Sequence, residues 1–311
     1  MKHPKLTGCM LLGLCAFTFN SAIAQDKLQV VTTLPDLAYL ASEIGGDAVE
    51  TFSIATGYQN PHFVDPKPSY ILKLTRADMF ITVGLDLEIG WVPALLTSAR
   101  NPKIQPGGDG YLDASLDVPL LEVPSSVSRE EGDIHVFGNP HYWLDPDRVQ
   151  IMARNITNAL TRLLPANKSR FEENLEQFST RLDLKYIEWK ERMAPYKGAH
   201  IIAYHNQWPY FEEAFGLDIA DFLEPKPGIP PTPSQLALII RHMQQDNLKV
   251  LIIAPYFKHD AANLVVSRVN GVVVPLASSV GAYEGIDTIF DLFEYDIELM
   301  INAFNSSTDS P

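Results

Sequence analysis

Cysteine is nearly absent from this 311-residue sequence: the two present, Cys9 and Cys15, both lie before residue 25. Beyond that point disulfides, thiolate metal ligands and cysteine nucleophiles are all excluded. Histidine and carboxylates must carry any chemistry. Positive charge is also scarce, with 24 Lys and Arg against 38 Asp and Glu, a formal charge of −14. An acidic chain repels nucleic-acid phosphates and anionic lipid and mildly attracts cations, so no nucleic-acid partner is expected. Long apolar runs are missing too. None after the first 24 residues approaches the roughly 20 needed to span a bilayer.

What is present begins with a leader. Lys2 and Lys5 precede an apolar run over residues 10–19, followed by Ala22-Ile23-Ala24, the small-residue pattern of a cleavage site. Residues 1–24 are therefore expected to be a signal peptide, and the exported chain to start at Gln25. Neither cysteine sits well in a lipid-attachment signal: Cys15 follows the bulky Leu14, and Cys9 precedes most of the apolar run. A soluble periplasmic protein is expected rather than a lipid-anchored one. With 46% hydrophobic and 20% charged residues, the remainder is long enough for a large core or two modest domains.

Short β-rich runs then alternate with helical patterns. Residues 28–33 (LQVVTT), 49–55 (VETFSIA) and 79–83 (MFITV) predict strands, and Leu37, Leu40, Ala41 and Ile44 recur between the first two at helical spacing. The same alternation returns at 200–204, 250–254 and 272–276. Alternating strands and helices predict an α/β fold in two lobes, each a mostly parallel sheet flanked by helices. Between them, Phe171, Leu175, Phe178, Leu182, Tyr186, Trp189 and Met193 keep one face apolar. If Pro165 opens this helix and Pro195 marks its stop, roughly 28 residues at about 1.5 Å each make a rod of about 42 Å. A coiled coil would show such a stripe as well, but with a globular neighbour at each end it fits better as a rigid strut across both lobes. The expected boundaries are 25–164 for the first lobe, 165–197 for the helix and 198–311 for the second lobe.

Two phrases repeat within the first lobe. Residues 60–69 read NPHFVDPKPS and 139–146 read NPHYWLDP, each placing a histidine behind Asn-Pro and ahead of Asp-Pro. Asp145 suits the N-cap of the following helix and Pro146 its first position. A lone loop histidine is more often a hydrogen-bonded surface residue than a ligand, but His62 and His141 share one setting. His205, in AYHNQWPYF, follows a predicted strand and so projects where open α/β sheets gather ligands. Neutral imidazole is a common metal ligand, and these three can close on one ion.

These motifs, with the long helix between them, resemble the zinc and manganese solute-binding proteins of ABC importers, the TroA/ZnuA-like family (cluster A-I), from about residue 28 to about 304. The resemblance implies two α/β lobes joined by one long helix, with a divalent metal held at their interface by His62, His141 and His205. It implies Zn²⁺ as transported ligand, with Mn²⁺ or Fe²⁺ as alternatives, and a monomer that delivers the ion to a permease in the inner membrane. Where family members commonly place an aspartate after the last strand, this chain has Ser278, in VVVPLASSVGAYEG. Water, Glu224, Glu284 or Asp287 is left to complete the site. His135, in a polar loop, is a candidate for assisting metal capture; His200, His242 and His259 are expected to be structural or exposed. Trp143 and Trp208 are expected to pack the lobe interface. Affinity is expected to fall as pH drops through about 6.5, the ordinary histidine value.

A different class, a three-histidine zinc hydrolase, would use an open metal position to activate water. Neither an H-E-x-x-H nor a G-x-S-x-G sequence is present, and no catalysis is expected.

Overall fold

The computed structural model describes residues 27–124 and 135–308. The expected leader and cleavage site, with both cysteines, lie outside the described residues. The first sheet contains β1 (Leu28–Thr32), β2 (Val49–Ser53), β3 (Met79–Thr82) and β4 (Tyr111–Asp113) in the order β2-β1-β3-β4. The second contains β5 (His200–Ala203), β6 (Asp218–Phe222), β7 (Val250–Ile253) and β8 (Val272–Pro275) in the order β6-β5-β7-β8. Every pairing is parallel. Each predicted strand ends one or two residues early, and β4 and β6 were not predicted: β4 has three residues, and β6 is half-buried throughout.

Helices α1 (Pro35–Gly45), α2 (Pro68–Arg76), α3 (Val92–Ala99) and α4 (Pro146–Leu163) flank the first sheet, and α6 (Pro209–Phe215), α7 (Pro233–Gln245), α8 (Asp260–Ser267) and α9 (Ile289–Thr308) the second. Six of these carry proline in their first two positions. An N–H there has no intrahelical acceptor, so its loss is tolerated while the fixed φ favours a helical start. Among the described residues no helix is long and apolar enough to cross a membrane.

The linking helix α5 runs Lys168–Met193, with a 3-10 turn at each end, Pro165–Asn167 and Ala194–Tyr196. Its 26 residues span about 39 Å at about 1.5 Å per residue. Six of the seven stripe residues are buried and Leu175 is half-buried. One end of the stripe packs against α1 and α4, the other against α6 and α9. Trp189 fixes the second end: its ring lies 5.2 Å from Phe293 and its Nε1 donates to Glu294 at 2.9 Å. The stripe is thus satisfied within the chain, as a strut.

Candidate metal centre

The repeated Asn-Pro-His phrase works through its asparagine. In each copy the Asn side-chain oxygen accepts a hydrogen bond from the histidine's backbone N–H, at 3.0 Å for Asn60 and His62 and 3.1 Å for Asn139 and His141. This is an Asx turn, which the intervening proline stiffens. The copies then diverge. Asp145 caps α4, accepting from Asp147 N at 2.9 Å. Asp65 is exposed and caps nothing, because α2 begins later, at Pro68, with Lys67 as its N-cap. Instead, Trp91 Nε1 donates to the Pro61 carbonyl at 2.9 Å and pins that loop.

His205 reaches the seam by a different route. Ala203 and Phe222 are register partners at the carboxyl ends of β5 and β6. Two residues beyond each lie His205 and Glu224, so parallel pairing delivers them side by side. His205 Nδ1 lies 2.6 Å from a Glu224 carboxylate oxygen. The carboxylate can only accept, so Nδ1 carries the proton and the Nε2 lone pair is left free. His141 is oriented alike, with Nδ1 donating to Asn139 Oδ1 at 2.9 Å.

The three imidazoles converge. One nitrogen from each of His62, His141 and His205 lies within 4.8 Å of the others. Zinc–nitrogen bonds of about 2.05 Å at a tetrahedral angle place ligand nitrogens about 3.3–3.4 Å apart. His62 and His141 already hold their Nε2 atoms at 3.3 Å. His141 is fully buried and His205 nearly so. Burial first, then the neighbouring imidazoles, holds His62 and His141 well below the usual histidine value. Both are neutral at pH 7, the state that ligates.

His135, which the sequence offered only as a possible aid to capture, lies against this cluster, its ring 5.0 Å from that of His62 and 6.3 Å from that of His141. Burial pushes its pKa down to about 4. Glu224 occupies the far nitrogen of His205, while Glu284 and Asp287 are exposed and outside the cluster. Ser278 is buried at the seam, where its carbonyl accepts from Trp143 Nε1 at 2.9 Å and its side chain hydrogen-bonds with Tyr256. His200 pairs with Asp218, and His242 with Asp221 and Asp246, each at 3.1 Å and away from the cluster.

The seam around the site is closed. Asp36 of α1 accepts from Ser279 Oγ and, at 3.1 Å, from Val280 N in the second lobe. At Gly57 a Cβ would sit 2.1 Å from the Val280 oxygen and 2.4 Å from the Gly281 carbonyl carbon. A cavity of about 660 Å³ also opens on the first lobe, lined by Leu85, Glu88, Val92, Tyr111 and Phe137 among others, but it includes none of the histidines. Its lining is mainly apolar, whereas ligating groups converge at the seam.

Two like-ordered parallel sheets, a helix bracing both and a knot of imidazoles at their junction define a two-lobed protein of the solute-receptor class. The chain belongs to the family described as ZnuA, zinc-uptake complex component A periplasmic, whose model matches residues 30–303. The manganese ABC transporter substrate-binding lipoprotein PsaA of Streptococcus pneumoniae is 29% identical over 253 residues, covering 78% of each chain. The metal ABC transporter substrate-binding lipoprotein FimA of Streptococcus parasanguinis is 28% identical over 252 residues, 78% of each. In fold, the chain is similar to the crystal structure of ZnuA, with a TM-score of 0.77 and 22% identity over 89% of this chain and 99% of that one. It is also similar to a Mn-bound periplasmic metal-binding protein from candidatus Liberibacter asiaticus, with a TM-score of 0.72 and 20% identity over 88% and 98%.

Proposed function

We propose that this chain is the receptor of an ABC importer, capturing a divalent transition metal on His62, His141 and His205 and passing it to a membrane permease. The observation that carries this reading is the convergence of three imidazole nitrogens from both lobes, two of them with the opposite ring nitrogen hydrogen-bonded. Second-sphere acceptors of that kind fix the tautomer of metal-binding histidines. An ion bridging the seam makes the closed arrangement depend on cargo. Imidazole suits zinc better than manganese, which prefers oxygen, so zinc is the proposed cargo. The relatives named for manganese make direct competition between the two metals the deciving measurement: metal content and equilibrium affinity of the purified protein, with both present. A preference for manganese would overturn the assignment of zinc, and absence of tight binding to either would overturn the receptor.

Catalysis is not part of the proposal. Among the described residues the acid nearest the histidines, Glu224, is committed to His205 Nδ1 and so is not placed to activate a water on the ion. Export with cleavage after Ala24, giving a soluble monomer in the periplasm, completes the reading. The intact mass of the exported chain tests it, because an acylated Cys9 or Cys15 would instead place it on a membrane, as the word lipoprotein in its relatives' names describes for them.

A further inference from the structure

Three imidazoles leave a tetrahedral ion one ligand short, and the side where the family resemblance expects an acid carries a neutral serine. Ser278 hydrogen-bonds with Tyr256, and the Tyr256 hydroxyl donates to Gln207 Oε1 at 2.5 Å, so that side is filled by uncharged partners. On another side stands His135. Its ring donates a hydrogen bond to the backbone carbonyl of Leu85, a residue held at φ 54° in the turn after β3. Its Nε2 is buried and has no hydrogen-bond partner among the described residues. Nδ1 is therefore the nitrogen tied to Leu85, and the Nε2 lone pair is free. His141, on Asn139, and His205, on Glu224, have the same arrangement: Nδ1–H engaged by an oxygen and Nε2 open. A buried, unsatisfied acceptor is uncommon in folded proteins and calls for a ligand or water. His135 and His205 also line one cavity of about 250 Å³.

We propose that His135 Nε2 is the fourth ligand, completing a four-imidazole site when the ion enters. This rests on the receptor reading above and deepens it. His135 stands just outside the group of three nitrogens within 4.8 Å. Its approach to the ion would complete the coordination sphere. An all-nitrogen set favours zinc over manganese more strongly than one completed by a carboxylate.

X-ray absorption at the zinc edge of the loaded wild-type protein should count four imidazoles, and His135→Ala should count three plus one non-imidazole oxygen ligand. Competition titration should show the variant weakened about 10–100-fold for zinc, the range that loss of one close supporting group already produces at metal sites. Circular dichroism should show the metal-free variant folded, its melting lowered only modestly by loss of the hydrogen bond to Leu85. Three imidazoles in wild type, or wild-type affinity in His135→Ala, overturns the fourth ligand and leaves the receptor standing. A wild-type protein that binds neither zinc nor manganese overturns the receptor itself.

Discussion

The two sheets share one strand order and are embedded differently. In the first lobe both faces of the sheet merge into a single core that continues through α5 to the inner face of the second sheet. The outer face of the second sheet has a core of its own, with Ile202, Leu251 and Ile253 packed on Ile239, Met243 and Val265. Alternation along β5 makes the division: Ile201 and Ala203 point to the shared core, Ile202 and Tyr204 to the separate one. The same topology thus gives one lobe joined to the strut's core through both faces of its sheet and one joined through a single face. The proposed ligands follow this difference. His62 and His141 hang on asparagine-braced loops, whereas His205 rides directly on a strand end and is steadied by a carboxylate.

The largest expected effect tests the division of cores. Trp189→Ala, removing a fully buried ring from the shared core, should cost about 3–5 kcal/mol of global stability in urea unfolding. Ile239→Ala should cost roughly 2–5 kcal/mol, with faster hydrogen exchange concentrated in α7 and α8. Exchange spread evenly over both lobes would show that the cores unfold as one. Next comes the seam: His141→Ala in one lobe and His205→Ala in the other should each weaken zinc on the order of 100-fold, while His242→Ala leaves it unchanged. Calorimetric titration that found His205 dispensable would confine the site to the first lobe.

A pH-dependent effect follows from protonation. Burial holds His62 and His141 well below 6.5 and His135 near 4, so the folded chain keeps these rings neutral where the unfolded chain protonates them. Below about 6.5 the unfolded state then binds more protons, and metal-free stability falls with decreasing pH by up to about 1.4 kcal/mol per pH unit for each ring, until the folded pKa is reached. Zinc affinity should likewise persist below 6.5, lower than the threshold expected from unperturbed histidine. Denaturation and zinc titrations at stepped pH check both, and collapse of affinity at 6.5 would mean the rings titrate as though solvated. The smallest expected change is from Ser278→Asp, which adds a hard oxygen from the second lobe. It should lower the zinc-to-manganese affinity ratio about three- to tenfold, and an unchanged ratio would mean this loop does not face the ion.

Much of the architecture was legible because periodicity reports it locally. The βα alternation, the apolar stripe of α5 and the two Asn-Pro-His phrases each lie within a short window of sequence. Strands β4 and β6 escaped because a three-residue or half-buried strand has almost no pattern to show. The supporting contacts were hidden for another reason: Glu224 meets His205 only through the register of β5 on β6, and His135 reaches His62 across 73 residues of chain. Asn60 and Asn139 were visible as repeated letters, but their work is the turn itself. Asp65 copies the letters around Asp145, but no helix follows it at once.

Gly57 adds one more consequence. The atoms a side chain there would strike, Val280 O, Gly281 C and Ala282 N, all belong to backbone and cannot rotate away. A single methyl group would act as a wedge driven into the joint. Since His62 lies five residues beyond Gly57, levering this loop off the second lobe would draw His62 away from His205 while leaving all the imidazoles chemically intact. Gly57→Ala is therefore a way to prop the receptor ajar without touching a proposed ligand, separating the shape of the closed molecule from the chemistry that it encloses.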